Sequence, residues 1–117
     1  GSLSRKDTEM VILRVAHLRA CAYERDHHVR LGRRAGITAE LLAAIDEGPE
    51  SAQLAPKERA LLAAVDELVR EKDLSDARWD ELARHYAPPK IIELCLLVGQ
   101  YEALATTIHA LRIQRDR

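Results

Sequence analysis

The sequence predicts an all-α fold of about six helices. Ala, Leu, Glu and Arg dominate the 117 residues, phenylalanine is absent, and all aromatic residues together make up only 3%. This composition is typical of helices, and no stretch alternates apolar and polar residues as a strand would. The length suits one domain spanning residues 1–117. Gly1-Ser2 resembles a remnant of cloning rather than natural sequence.

The first two helices are predicted from caps and apolar periodicity. The first runs from about residue 4 to residue 19, with Ser4 or Asp7 as its N-cap. Its "MVILRVAHL" is apolar nearly all round, so we expect most of it to be buried. The second runs from about residue 21 to residue 35, and Gly36 suits a left-handed C-terminal position. Whether the two helices are continuous is left open.

Four further helices are predicted downstream. Thr38 caps "AELLAAIDE", which Gly48-Pro49 ends, and "GPESAQLA" is a loop. Pro56 suits the first turn of a fourth helix, "PKERALLAAVDELVREK". A short fifth helix starts at Ser75 and ends near residue 86. Pro88-Pro89 is predicted to break the chain, and a last helix runs from about residue 90 to residue 114.

Composition and charge exclude several classes of function. The net charge of −1, with interleaved signs and no basic stripe, argues against nucleic acid as a partner. The longest uncharged apolar run is too short to span a bilayer, and the start lacks the apolar segment of a signal peptide. Two cysteines are too few for a disulfide scaffold. We therefore expect a cytoplasmic protein with no membrane partner.

The stretch "CAYERDHH", residues 21–28, gathers the chain's most reactive side chains. At about 100° per residue, Cys21, Glu24 and His28 lie along one strip of a helix, whereas Tyr23 and His27 lie on the far side. A thiol in the first helical turn, a carboxylate and an imidazole in one strip can relay a proton. The structural alternative is a buried cysteine beside a solvated or paired Glu and His.

Other groupings carry less chemistry. Adjacent histidines point about 100° apart, and neither HExxH nor CxxC is present, so no metal site is predicted. Cys95, in "IIELCLLVG", is predicted to be inert core. Glu93 interrupts an apolar run, and we expect it to pair with an arginine.

"EMVILRVAHLRACAYERDHHVRLGRRAGIT" resembles the signature helix pair of the carboxymuconolactone decarboxylase and alkylhydroperoxidase D-like (AhpD-like) superfamily. "KERALLAAVDELV", "ARWDELARHY" and "IIELCLLVGQYEALATTIHAL" resemble the rest of it in order. The resemblance implies an AhpD-like helical bundle that forms homo-oligomers, as dimers, trimers or hexamers, with pockets near subunit contacts. Many relatives carry additional N-terminal helices before the segment matching residues 3–9.

The resemblance to the hydroperoxidase branch implies a thiol-dependent alkylhydroperoxidase, an antioxidant protein with peroxiredoxin activity. That branch uses a CxxC pair, and here Cys21 matches the first cysteine but Glu24 replaces the second. A local disulfide between such a pair cannot form here, which puts the peroxidase cycle in doubt. Glu9 and His28 match the upstream carboxylate and downstream imidazole of that branch.

The decarboxylase branch instead resembles the "YExxxH" form of this chain. It implies a lyase or isomerase doing cofactor-free acid/base chemistry on a small, acidic, lactone-like substrate. His28 is then the candidate acid/base, Glu24 and Glu9 orient it or carry protons, and Cys21 is auxiliary. Arg14 and Arg25 are candidates for binding a substrate carboxylate by proximity alone. A non-catalytic oligomeric binding module is the third reading.

Overall fold

Six helices and no strand make up residues 2–114, the part of the chain that the computed structural model describes. The predicted all-α fold is therefore confirmed for these residues. In chain order the helices are α1 (Arg5–Leu18), α2 (Ala22–Arg34), α3 (Ala39–Glu47), α4 (Pro56–Glu71), α5 (Asp76–Ala83) and α6 (Pro88–Ala110). α1 is the central helix and packs against α2, α3, α4 and α6.

The burial of α1 follows from its sequence. Every residue from Glu9 to Ala16 is buried, which confirms the expectation from its nearly all-round apolar pattern. The side chain of Ser4 caps the helix by accepting a hydrogen bond from the backbone N–H of Asp7. α1 and α2 are separate helices, because Ala20 adopts a left-handed conformation with φ of 50° and the chain turns there.

The predicted caps of α2 to α5 are found where the sequence placed them. Thr38 and Ser75 accept hydrogen bonds from the backbone N–H groups of Leu41 and Arg78, and Pro56 occupies the first turn of α4. Gly36, with φ of 100°, follows the end of α2 as predicted. α5 is shorter than predicted and ends at Ala83.

The boundaries predicted for α6 were wrong at both ends. Pro88 and Pro89 begin the helix instead of breaking the chain, because the first turn of a helix does not need their missing N–H groups. The helix ends at Ala110, since Arg112 is left-handed with φ of 55° and the N–H of Ile113 bonds back to the carbonyl of Ile108.

The N-terminal segment is tied to α6. The backbone N–H of Leu3 donates to both carboxylate oxygens of Glu93, at 3.1 and 3.2 Å. Glu93 therefore bonds to the backbone of the segment that precedes α1, and the expected arginine partner was wrong. Cys95, two residues further along α6, packs partly buried against the main core, and burial raises the pKa of its thiol.

α6 is long and apolar enough to cross a membrane by length and composition alone. Its most apolar 18-residue window has a mean hydropathy of 1.4, and 28% of that window is buried in the fold. A core helix of a soluble protein passes the same test, and α6 packs against α1, α4 and α5. A single helix of this kind is therefore weak evidence for a membrane span.

Candidate functional site

Glu9 of α1 and Glu24 and His28 of α2 meet where the two helices pack together. Nδ1 of His28 donates to Oε1 of Glu9 over 2.7 Å, and Nε2 of His28 lies 3.2 Å from Oε2 of Glu24. Glu9 and His28 are buried, with 8% and 6% of their surface exposed, and Glu24 is half-buried. We call these three side chains the Glu–His–Glu group.

The sequence explains how the group forms. Glu24 and His28 are four residues apart, so they lie one turn apart on the same face of α2. That face packs against α1, which contributes Glu9 from the buried stretch of its own sequence. Two of the three residues predicted from "CAYERDHH" are thus brought together, and the upstream Glu9 joins them.

Both ring nitrogens of His28 lie next to a carboxylate. An ionised carboxylate can only accept a hydrogen bond, so Nδ1 carries a proton when it bonds to an ionised Glu9. Nε2 lies beside the Glu24 carboxylate, so these two groups are within reach of proton transfer. An imidazole with a carboxylate at each ring nitrogen has the geometry that general acid/base catalysis uses.

Tyr101 of α6 completes this corner of the fold. Its ring meets the His28 ring edge to face, with centroids 5.4 Å apart and planes at 87°. Burial, and then the negative charges of Glu24 and Glu9, raise the pKa of the Tyr101 phenol. Sequence reasoning missed this residue. The signal was that Tyr101 is the one phenylalanine, tryptophan or tyrosine in a helix whose large apolar residues are otherwise aliphatic.

Cys21 lies apart from the group. It is the N-cap residue of α2, not part of its first turn, and is 2% exposed in a second small apolar cluster with Ala105 and Ile108. Cys21 lines a separate cavity of about 280 Å³ together with His17 and Arg25. Within residues 2–114, no hydrogen bond joins the Cys21 thiol to Glu24 or His28, so the predicted three-residue strip holds for two members.

The two candidate arginines are held in ion pairs. Arg14 is buried and donates twice to the carboxylate of Asp66, at 2.7 and 3.0 Å, and also to the carbonyls of Ile45 and Asp46. Arg25 donates twice to the carboxylate of Asp46, at 2.6 and 2.7 Å. A substrate carboxylate would have to displace Asp66 or Asp46 from these guanidinium groups. Proximity in sequence therefore did not identify arginines that are free to bind a substrate.

One family model matches more than half of the chain. The family model of the carboxymuconolactone decarboxylase family matches residues 1–67, which contain α1 to α3 and most of α4. In the part of the chain that the structure describes, no group of three or more His, Cys, Asp or Glu side chains is arranged to hold a metal ion.

Two individual proteins are similar over most of the chain. The uncharacterized protein YdfG of Bacillus subtilis (strain 168) is 25% identical over 102 residues, which cover 86% of this chain and 69% of that protein. The crystal structure of ATU0492 from Agrobacterium tumefaciens, a protein of unknown function described as a candidate antioxidant defence protein AhpD, matches with a TM-score of 0.91. It is 23% identical, and the match covers 98% of this chain and 80% of that one. At this identity the likeness shows the fold, an AhpD-like helical bundle. Since the family match extends over more than half of the chain and includes Glu9, Glu24 and His28, the chain belongs to the carboxymuconolactone decarboxylase family.

Proposed function

We propose that this protein is a cofactor-free enzyme that moves protons on a small lactone-like substrate, as an isomerase or a decarboxylase. The observation that carries the proposal is a buried imidazole with a carboxylate at each ring nitrogen. Such a group can take a proton from carbon and return one to carbon. Isomerisation needs both steps, and decarboxylation needs the second. Membership of the decarboxylase family supports the same reading.

The roles follow from burial. Glu24 has the most exposed side chain of the three, at 14% against 10% for Glu9 and 7% for His28, so we expect a substrate to reach the group on the Glu24 side. In isomerisation, the Glu24–His28 pair takes a proton from the carbon next to the lactone carbonyl, and the C–H electrons form an enolate. The same proton then returns to the far end of the conjugated system. In decarboxylation, carbon dioxide leaves with formation of the enolate, and the pair supplies the proton to carbon.

Cys21 gives the second candidate function, a thiol-dependent hydroperoxidase. The specific observation in its favour is that Cys21 is among the residues that line a cavity of about 280 Å³, and the structural neighbour ATU0492 is described as an antioxidant candidate. Against it stands the lack of a resolving thiol. Cys21 packs on α6 at Ala105, ten residues or about 15 Å along the helix from Cys95. A disulfide needs Cα atoms within about 7 Å.

One experiment separates these readings. Wild-type protein and Cys21→Ser are incubated in D₂O with α-angelica lactone, an uncharged unsaturated γ-lactone, and deuterium at the carbon next to the carbonyl is followed by NMR. The same proteins are given cumene hydroperoxide with dithiothreitol as reductant. We expect both proteins to exchange the lactone proton at similar rates. Peroxide turnover that disappears in Cys21→Ser, with no lactone exchange in either protein, would instead establish the hydroperoxidase. Neither activity in the wild type would favour the non-catalytic binding module.

We also propose that the protein is a cytoplasmic homo-oligomer that uses α6. Ile92 and Leu96 are one turn apart on this helix and are 58% and 70% exposed, an unusual position for large apolar side chains. Light scattering after size exclusion is expected to give a multiple of 13.2 kDa for the wild type and a smaller mass for Leu96→Glu. Leu18→Glu makes the same change on α1 and serves as control. A monomeric wild type would contradict this proposal.

A further inference from the structure

The hydroxyl groups of Tyr101 and Tyr86 differ in their hydrogen bonding within the protein. Within residues 2–114 the Tyr101 hydroxyl has no hydrogen-bond partner, whereas the hydroxyl of Tyr86 donates to the carboxylate of Asp7 at 3.0 Å. The Tyr101 side chain is half-buried and packs on the main core through its ring. This hydroxyl is not fully buried, so a ligand can reach it.

Its position makes this donor useful. Tyr101 contacts the His28 ring, Glu24 lies at its Nε2, and both are less buried than His28, which places them where a substrate approaching the imidazole would meet them. The phenol remains protonated because burial and the charges of Glu24 and Glu9 raise its pKa. Carboxylates cannot donate to the negative oxygen that forms when a carbon next to a carbonyl loses its proton. A protonated phenol beside them can.

The charges of the site also restrict the substrate. Two carboxylates bond to the His28 ring, and the guanidinium groups of Arg14 and Arg25 are already bonded to Asp66 and Asp46. A second negative charge on the reacting part of the substrate would be repelled at this distance. An uncharged carbonyl compound meets no such repulsion and offers the Tyr101 hydroxyl an acceptor.

We propose that Tyr101 donates its hydroxyl hydrogen bond to the carbonyl oxygen of the substrate, and that the site takes uncharged lactones in preference to lactone carboxylates. This inference rests on the proposed function and selects its isomerase form, because decarboxylation requires a carboxylate. In the step itself, the Glu24–His28 pair removes the proton, the carbonyl oxygen becomes an enolate oxygen, and the Tyr101 O–H stabilises it. Return of the proton to the distal carbon gives the conjugated lactone, so atoms and charge balance.

The test compares Tyr101→Phe with the matched variant Tyr86→Phe. Both lose one hydroxyl, and isomerisation of α-angelica lactone is followed by the ultraviolet absorbance of its conjugated product. Tyr101→Phe is expected to lower kcat by about 10²- to 10³-fold with little change in KM. Its Tm is expected to be unchanged, because the missing hydroxyl had no partner. Tyr86→Phe is expected to keep kcat and lose stability, because its hydroxyl was bonded to Asp7.

The substrate preference is tested on the same protein with the carboxymethyl analogue of the lactone. The wild type is expected to give a kcat/KM for the uncharged lactone at least about tenfold higher than for the analogue. Wild-type kcat in a folded Tyr101→Phe, or a preference for the carboxylate, would overturn the inference while leaving the proposed function standing. If the wild type isomerises neither lactone, the proposed function fails and this inference with it.

Discussion

Replacement of His28 by glutamine is expected to slow lactone proton exchange and isomerisation by about 10²- to 10⁴-fold. The side chain lies between Glu9 and Glu24. The proposed reaction requires this imidazole to take part in proton transfer. A glutamine amide can donate to one of these carboxylates, so it keeps part of the hydrogen bonding, but it cannot take up and release a proton. Loss of activity should therefore not be loss of fold.

His27→Gln is the matched control for this prediction. His27 is the adjacent residue, its ring is exposed, and it touches the His28 ring only edge to face, with centroids 5.0 Å apart. We expect it to retain the wild-type exchange rate. Circular dichroism and Tm of both variants verify that they remain folded. A folded His28→Gln that exchanges the lactone proton as fast as the wild type would rule out the Glu–His–Glu group as the source of the activity.

The helices could be predicted because their signals are local. Ser4, Thr38 and Ser75 cap the helices that follow them, and each needs only a hydroxyl and a backbone N–H three residues on. The break between α1 and α2 could not be predicted, since the left-handed residue there is Ala20 and alanine carries no such signal. The start of α6 was misplaced because two prolines fit either a break or a first turn.

The candidate site was predictable only where its members share one helix. Glu24 and His28 follow from spacing along α2, and Glu9 followed from resemblance alone. Cys21 was misplaced because an angle of 100° per residue applies to helical backbone, and its φ of −99° and ψ of 86° are not helical. Tyr101 comes from α6, 73 positions after His28, and only the packing of helices brings the two together.

The two arginines show that proximity in sequence does not identify the partners of a side chain. Arg14 was a candidate by its proximity in sequence to the other candidate residues, whereas its actual partner, Asp66, lies 52 positions away on α4. Gly48 shows how tightly Arg14 is enclosed, because a Cβ atom built at this glycine, with φ of 107°, would lie 2.8 Å from Nη2. The guanidinium therefore joins α1 to α4 and to the end of α3, and this role is structural.

Replacement of Arg14 by methionine is accordingly expected to cost about 3–5 kcal/mol of the free energy of unfolding. The change keeps the apolar stem but leaves the largely buried carboxylate of Asp66 and the carbonyls of Ile45 and Asp46 without their donor. A chain of this size has a free energy of unfolding of only about 5–15 kcal/mol, so the variant would lose a large part of its stability. Urea denaturation followed by circular dichroism measures the difference.

Arg25→Met is the matched control for this prediction. It removes an equally short, doubly bonded pair with Asp46, but both of those side chains are about a third exposed, at 31% and 29%. Water can solvate the carboxylate that remains, so we expect a loss of no more than about 1 kcal/mol. Adding Asp66→Asn to Arg14→Met should recover part of the larger loss, because the unpaired buried charge is then gone. If Arg14→Met costs no more than Arg25→Met, the guanidinium is not a structural tie, and its assignment to ligand binding becomes the better explanation.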